Sequence, residues 1–236
     1  VTALPWYRDH QVDPGWGGKL VRYERTPWGS ITRIHPFPAK SKANLLLRAV
    51  AFVAFSVIAG VRAVAVRRHT GRDARVQHRG VDAVVAMSPP LTLGTIGWIV
   101  ARLRRTRLIF NVQDVFPDAA IATGAVRNKL IIALASWLER FTYRRASAVV
   151  VLSPDLQRNV RNKIGAKLAE RVHVIENFVD VAGITPQDRM TPYRRELGIG
   201  TEVVVMYAGN VGFSQSLELL VEFARRTPQV TVLING

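Results

Sequence analysis

The stretch Arg107-Leu108-Ile109-Phe110-Asn111-Val112-Gln113-Asp114-Val115-Phe116-Pro117-Asp118 decides how this chain is read. Its first half is an apolar run, and at Gln113 it changes to polar residues and then to a proline. The run Leu108–Val112 predicts a strand of the kind covered on both faces, as in a parallel sheet. Pro117 prevents immediate continuation into a helix. Gln113 and Asp114 are thereby expected at the carboxyl end of a parallel strand, the edge at which open α/β sheets bind their ligands. Two roles stay open at this point: Asp114 caps a helix or satisfies loop amides, or Gln113 and Asp114 hydrogen-bond the hydroxyls of a sugar.

Working outward, apolar runs alternate with helical patterns. Further strands are predicted at Ile31–Ile34, Ala83–Met87, Ala148–Leu152, Val172–Ile175, Val203–Ala208 and Val230–Ile234. Helices are predicted at Lys42–Arg68, Leu91–Arg104, Asn128–Arg145, Asp155–Lys163 and Ser216–Arg226. This alternation predicts a doubly wound α/β architecture. Glycines, prolines and polar residues over 178–202 read as a linker, which separates a first domain, 1–177, from the opening of a second, 203–236. Val1–Leu4 reads as the end of a strand and Val230–Gly236 as another strand, so a longer parent chain is expected.

Composition narrows the chemistry. The chain of 236 residues holds no Cys, which excludes disulfides, thiolate zinc sites and a cysteine nucleophile. Lys plus Arg is 33 against 17 Asp plus Glu, a formal net charge of +16. Such a balance attracts polyanions: nucleic acid, anionic membrane or phosphorylated substrates. There is no Gly-x-Gly-x-x-Gly, phosphate-loop lysine, His-Glu-x-x-His, Gly-x-Ser-x-Gly or Asp-x-Asp. No two histidines stand four apart, and no metal site is expected.

The region 43–66 has its own reading. Leu46, Val50, Val53, Val57, Val61 and Val64 follow helical spacing, as a stripe buried against a sheet does. The alternative is a helix lying on a membrane surface, with Arg48, Arg62, Arg67 and Arg68 near lipid phosphates. The uncharged stretch Ala49–Val61 falls short of the ~20 residues that cross a bilayer.

Two further segments carry candidate chemistry. In Tyr207-Ala208-Gly209-Asn210-Val211-Gly212-Phe213-Ser214-Gln215-Ser216-Leu217-Glu218 a strand runs through a glycine-bearing turn into a helix. Glycines let backbone approach a ligand, and the helix start offers free N–H groups, which together suit a diphosphate. An ordinary strand–helix turn is the plainer reading. Val174-Ile175-Glu176-Asn177-Phe178-Val179-Asp180 reads as a strand end with a turn, and Ser153 or Asp155 as a helix cap.

Together these segments resemble a family 4 glycosyltransferase of the GT-B fold, in the exopolysaccharide and lipopolysaccharide branch of colanic-acid and fucosaminyltransferase type. Gln113-Asp114-Val115-Phe116-Pro117 is similar to that branch's Gln-Asp-x-x-Pro, and Tyr207 through Glu218 to its Tyr-x-Gly-Asn-x-Gly-x-x-Gln-x-Leu-Glu. Glu176 through Asp180 stands where the family has Pro-Asn-Gly-Val-Asp. The resemblance implies a Rossmann-like, acceptor-binding first domain and the first strand–helix–strand unit of a second Rossmann-like domain that binds a nucleotide-sugar donor. It implies metal-independent, retaining transfer, with no cofactor besides the donor. Gly209, Asn210 and Gly212 would approach the donor diphosphate, with Ser214 and Gln215 beside them. Gln113 and Asp114 are the catalytic candidates, though Gln113 stands where many relatives have His and cannot shuttle a proton.

The resemblance also implies what this sequence lacks. The family's first glycine-rich loop would precede Val1, no two glutamates stand eight apart, and the basic residues that stabilise the leaving diphosphate would follow Gly236. Leaving-group charge needs such stabilisation, so the chain by itself is expected to be inactive and a longer bacterial parent active. The expected acceptor is a lipid-linked saccharide at the inner face of the plasma membrane. Arg102, Arg104, Arg105 and Arg107, with Arg140, Arg144 and Arg145, would attach a cytoplasmic, peripheral enzyme to that anionic surface. No nucleic-acid partner is expected. A basic non-enzymatic α/β module, or another GT-B enzyme such as a nucleotide-sugar epimerase, is the competing reading.

Overall fold

The computed structural model of the protein describes residues 2–3, 19–35, 45–66, 81–115, 118, 121, 126–212 and 215–236. They divide into two compact units, Val1–Glu176 and Asn177–Gly236.

The first unit is built on four parallel strands, β4 (Ala83–Ser88), β5 (Arg107–Val112), β6 (Ala148–Val151) and β7 (Val172–Val174), paired in that order. Helices α2 (Thr92–Arg104), α3 (Lys129–Arg145) and α4 (Pro154–Ile164) connect them, and a 3₁₀ turn, Ala166–Arg171, leads into β7. This is the predicted parallel α/β architecture. Its core gathers Leu108, Phe110 and Val112 of β5, Val149 and Val151 of β6 and Tyr143 of α3, each at most 2% exposed.

Local chemistry sets the element ends. The Asn128 carbonyl side-chain oxygen accepts from the backbone N–H groups of Leu130 (2.9 Å) and Ile131 (3.4 Å) and so starts α3. The Ser153 hydroxyl accepts from Leu156 N–H at 3.2 Å and starts α4. Gly165, at φ +83°, ends α4 in a conformation that a side chain disfavours. Gly94 and Gly97 let α2 approach its neighbours closely. A Cβ on Gly94 would stand 2.4 Å from Thr142 Cγ2 of α3, and one on Gly97 would stand 3.0 Å from the Cβ of Ala86 on β4.

Before this sheet lie β1 (Thr2–Ala3), β2 (Val21–Thr26) and β3 (Gly29–Ile34), a separate sheet in the order β1-β3-β2. β1 runs parallel to β3, but β2 and β3 form an antiparallel hairpin. The sequence reading contains β3 and omits β2. Strand β2 alternates charged and uncharged residues and has little apolar content, so it lacks the signal of a buried strand. Its Glu24 carboxylate accepts from the Arg33 guanidinium of β3 at 2.8 Å. The hydrogen bond from Arg33 holds the Glu24 carboxyl below its ordinary range.

Helix α1 (Leu45–Ala65) overturns the expected burial. Val50, Val53, Val57, Val61 and Val64 are all exposed, between 36% and 64%. The buried stripe is instead Phe55, Ser56, Ala59 and Gly60. The reason is close helix packing: a Cβ on Gly60 would stand 2.4 Å from Ile96 Cγ2 of α2, and the Ser56 and Thr92 hydroxyls are 2.7 Å apart. A contact this tight selects small residues and leaves the valines outside. The side chains of Leu46 and Arg48, and residues 42–44 and 67–68, lie outside those described. Complete covering of the strands also fails at β4, an edge strand, where Val85 is 66% and Met87 49% exposed.

In the second unit, β8 (Val203–Ala208) and β9 (Val230–Asn235) pair in parallel around helix α6 (Glu218–Arg226). The stretch read as a linker carries a short helix, α5 (Pro192–Glu196), whose start the Thr191 hydroxyl caps by accepting from Arg194 N–H at 3.3 Å. The Arg194 side chain donates to the carbonyls of Gly200 and Glu202, and Arg189 to those of Thr201 and Glu202, which fastens this stretch to the foot of β8.

Candidate functional site

The candidate site of the first unit is the carboxyl edge of β4 and β5. Gln113 N–H donates to the Ser88 carbonyl at 3.3 Å, extending the β4–β5 ladder by one residue past the strands. The Gln113 side-chain amide donates to Asn111 Oδ1 at 3.0 Å. The two side chains stand two residues apart and so share one face of the strand. Asp114 is exposed, and among the described residues it accepts no hydrogen bond and caps no helix. Ser88 is fully buried, and its hydroxyl has no partner among the described residues. This edge thus presents the Gln113 amide, the Asp114 carboxylate and the Ser88 hydroxyl. Such a set can hold polyhydroxyl compounds through paired donors and acceptors.

Val115 and Asp118, which follow Asp114, are each anchored. Val115 is 8% exposed and joins the core. Phe116 and Pro117 lie outside the described residues. The Asp118 carboxylate accepts from Lys163 Nζ at 2.8 Å and from the Asn159 amide at 2.9 Å, both on α4. Lys163 also donates to both oxygens of Glu139 on α3, at 3.0 and 2.9 Å, and Tyr143 O–H donates to Glu139 at 3.0 Å. Glu139 is 1% exposed, so Lys163 supplies the charge that its burial requires.

The directions of titration follow from this network. Burial raises the Asp118 carboxyl, but the hydrogen bonds from Lys163 and Asn159 and the Lys163 charge outweigh it and hold the group below its ordinary value. Burial, then the Glu139 charge, pushes the Tyr143 hydroxyl far up, so it stays a donor. The sequence reading quoted Asp118 without a role and did not single out Glu139, Tyr143 or Lys163. The one available signal was their spacing: Glu139 and Tyr143 stand four apart and share a helix face. Nothing local pairs either with Lys163 or Asp118, because the meeting is tertiary.

The candidate site of the second unit is the turn after β8. Gly209 N–H donates to the Asn235 carbonyl at 2.9 Å, and the Tyr207 hydroxyl donates to the Asn210 carbonyl at 2.8 Å. Gln215 N–H donates to the Gly212 carbonyl at 3.2 Å. A Cβ on Gly212 would stand 2.9 Å from Gln215 Oε1 and 3.1 Å from Asn210 Nδ2. Gly209, Asn210, Gly212 and Gln215 thus form one compact turn; Ser214 lies outside the described residues. Helix α6 begins after Leu217 with no side-chain cap, and the Glu218 carboxylate stands in its first turn.

The third segment is exposed. Phe178 is 99% exposed, and the Asp180 carboxylate accepts from Ala182 N–H at 3.0 Å and from Gly183 N–H at 3.3 Å, closing a turn. Among the described residues no group of His, Asp and Glu converges as a metal site would require, and no helix is long and apolar enough to cross a membrane.

The arrangement meets its family here: the model of the Glycosyl transferase 4-like domain matches residues 8–177. The chain belongs to that family. It is 24% identical over 232 residues to WcaI of Escherichia coli (strain K12), a protein named for glycosyl transfer in colanic acid biosynthesis. The match covers 96% of this chain and 54% of WcaI, so the chain spans about half the length of that curated relative.

Among solved structures, the fold is similar to that of Alr3699/HepE of Anabaena, crystallised with UDP and glucose. The TM-score is 0.53 at 18% identity, over 80% of this chain and 44% of that one. It is also similar to sucrose-phosphate synthase of Thermosynechococcus elongatus, with a TM-score of 0.63 at 16% identity over 94% of this chain and 49% of that one. At these identities the likeness is one of fold, the α/β fold of GT-B glycosyltransferases.

Proposed function

We propose that the chain supplies the acceptor-side domain, and the opening of the donor-side domain, of a retaining glycosyltransferase that uses a nucleotide-sugar to extend a lipid-linked glycan. The observation that carries this reading is the family match over 8–177, a span that includes the half-buried Gln113 and the exposed Asp114. Both chains with named ligand chemistry agree in kind: WcaI is named for a glycosyl transferase, and HepE was crystallised with UDP-glucose.

In this reading Gln113 and Asp114 orient acceptor hydroxyls at the carboxyl edge of β5, and Asp114 supplies a group there able to accept a proton. The turn Gly209–Gly212, with Ser214 and Gln215 beside it, lets backbone approach the donor diphosphate. Gly212 keeps the turn compact: a Cβ there would displace the side-chain ends of Gln215 and Asn210. Glu218 in the first turn of α6 repels an anion placed at the helix start, so backbone amides of the turn carry the phosphate contact. No cofactor besides the donor is needed, since the leaving diphosphate can be stabilised by cationic and N–H donors.

Attachment to the anionic inner surface of the plasma membrane belongs to the same reading. It is supported by the net charge of +16 and by the exposed valines of α1, which offer apolar area beside Arg62. Anionic surfaces attract such a balance with ~1 kcal/mol per basic residue.

The test is transfer of labelled sugar from a panel of nucleotide-sugars to lipid-linked pyrophosphate saccharides. It is run on this chain and on the product of the complete coding frame around it. Transfer that falls at least a hundredfold in Asp114→Asn and Gln113→Ala supports the reading. Salt-dependent nucleic-acid binding, with no response to any nucleotide-sugar in either protein, overturns it.

A further inference from the structure

At the opposite, amino-terminal edge of the four-stranded sheet lies a cavity of about 510 Å³. Thr106, Ser147 and Arg171 stand immediately before β5, β6 and β7, and Arg102, Arg144 and Arg145 come from the carboxyl ends of α2 and α3; all six line it. We infer that this cavity binds a phosphate group, with the forks of Arg102, Arg144, Arg145 and Arg171 as its donors.

Three observations carry the assignment. First, no carboxylate lines the cavity, and among the described residues none of the four arginines is ion-paired. Second, two of them are pre-oriented. Arg145 lies 5.5 Å over the Trp98 ring and 5.6 Å over Phe141, and Arg171 donates to the Ala146 carbonyl at 3.3 Å. Each keeps further N–H groups for a ligand, because a guanidinium carries five. Third, helix C-termini attract basic residues, but that accounts only for part of the cluster. Arg104 answers that demand by donating to the carbonyls of Val64 and Val66 at the end of α1. Arg171 belongs to another element and still converges here. Four converging guanidinium forks, two of them held in place, match the tetrahedral oxygens of a phosphate better than a diffuse charge does.

The phosphate has two possible sources, an anionic lipid headgroup or a soluble phosphate. The lipid source rests on the membrane reading above. It draws support from Leu103, Val61 and Val66, which are 65%, 64% and 52% exposed where Arg104 joins α1 to α2. The soluble source does not depend on that reading.

The experiment compares the unaltered chain with two charge-matched pairs. Arg102→Gln/Arg144→Gln removes two lining residues, and Arg107→Gln/Arg140→Gln removes two that do not line the cavity. Binding is measured to vesicles of phosphatidylcholine with about one-third phosphatidylglycerol, to pure phosphatidylcholine vesicles, and to inorganic phosphate and pyrophosphate. Circular dichroism melts establish that each pair folds, and a single Arg144→Lys change serves if the lining pair does not.

A loss of at least tenfold in anionic-vesicle binding confined to the lining change, with competition by pyrophosphate, supports the pocket with lipid as the source. Pyrophosphate binding lost only on the lining change, with no vesicle binding at all, supports it with a soluble source and removes the membrane reading. Equal losses in both pairs, or no phosphate binding by the unaltered chain, overturn the pocket. Sugar transfer by the unaltered chain is measured separately, so failure of the pocket and failure of the glycosyltransferase reading are told apart.

Discussion

Two strands of nearly the same sequence have different fates in this molecule. Val149, Val150 and Val151 of β6 lie in the middle of the four-stranded sheet, and Val149 and Val151 are fully buried. Val203, Val204 and Val205 open β8, and no residue of that strand, of α6 or of β9 is buried. Both strands are Val-rich and both pair in parallel. The difference lies in what covers them. β6 has strand neighbours on both sides and α4 packed against it, whereas among the described residues β8 pairs only with β9. A run of valines therefore encodes a strand, and burial is conferred by the neighbours that assemble on it.

The sharpest way to test this contrast is to truncate one side chain in each unit. Phe110→Ala in the buried sheet is expected to cost about 3–5 kcal/mol in urea unfolding. Val203→Ala in β8 is expected to cost under about 1 kcal/mol, because Val203 is 59% exposed and little of its area leaves water on folding. Similar costs at the two sites would break the comparison.

The network of Glu139, Lys163 and Asp118 exists only in the first unit. Lys163→Ala leaves Glu139 buried without a counter-charge and is expected to destabilise by about 3 kcal/mol or more. Glu139→Gln in the same background recovers part of the loss. The Asp118 carboxyl is held low in the folded chain, so its contribution is present above the ordinary carboxylate pKa. It is lost as pH falls through the lowered value. His35 behaves likewise at milder acidity, since burial lowers its pKa and protonation then opposes folding. The first unit should therefore lose stability in two acid steps, read by chemical denaturation at a series of pH values.

Gly94→Ala probes the helix contact at closer range. The added methyl would meet Thr142 Cγ2 at 2.4 Å, with an expected cost of about 1–3 kcal/mol and partial rescue by Thr142→Ala. The smallest effect is expected on α1. Val57→Ser faces solvent and should change stability by about 0.5 kcal/mol or less, whereas a loss like that of a core residue would mean that the valine stripe is covered in solution.

Much of the architecture was legible in the sequence, because local rules set it. Apolar runs, interrupted at Asn111 and His173, marked the strands of the parallel sheet, and Ser153 caps a helix as read, for a reason internal to a single turn. The strand–turn–helix at Tyr207–Glu218 was legible for the same reason. The hairpin strand β2 was not, since its alternation carries mostly charged residues. The stripe on α1 was misjudged because the valines were taken as the buried face, while the closest approaches to α2 fall at Ser56 and Gly60, where only small residues fit.

By itself, then, the amino-acid sequence determined the alternation of strands and helices, the polar break at Gln113 and Asp114, and the excess of basic charge. Each of these is written in neighbouring residues or in composition. Tertiary structure alone decided which face of α1 is buried, that Asp118 is held by Lys163 against Glu139, and that Arg102, Arg144, Arg145 and Arg171 converge on one cavity. Apart from the neighbours Arg144 and Arg145, the residues of each cluster are separated along the chain by 20 positions or more. The physical reason they meet is the parallel sheet, which brings equivalent ends of successive strands and helices to the same edge.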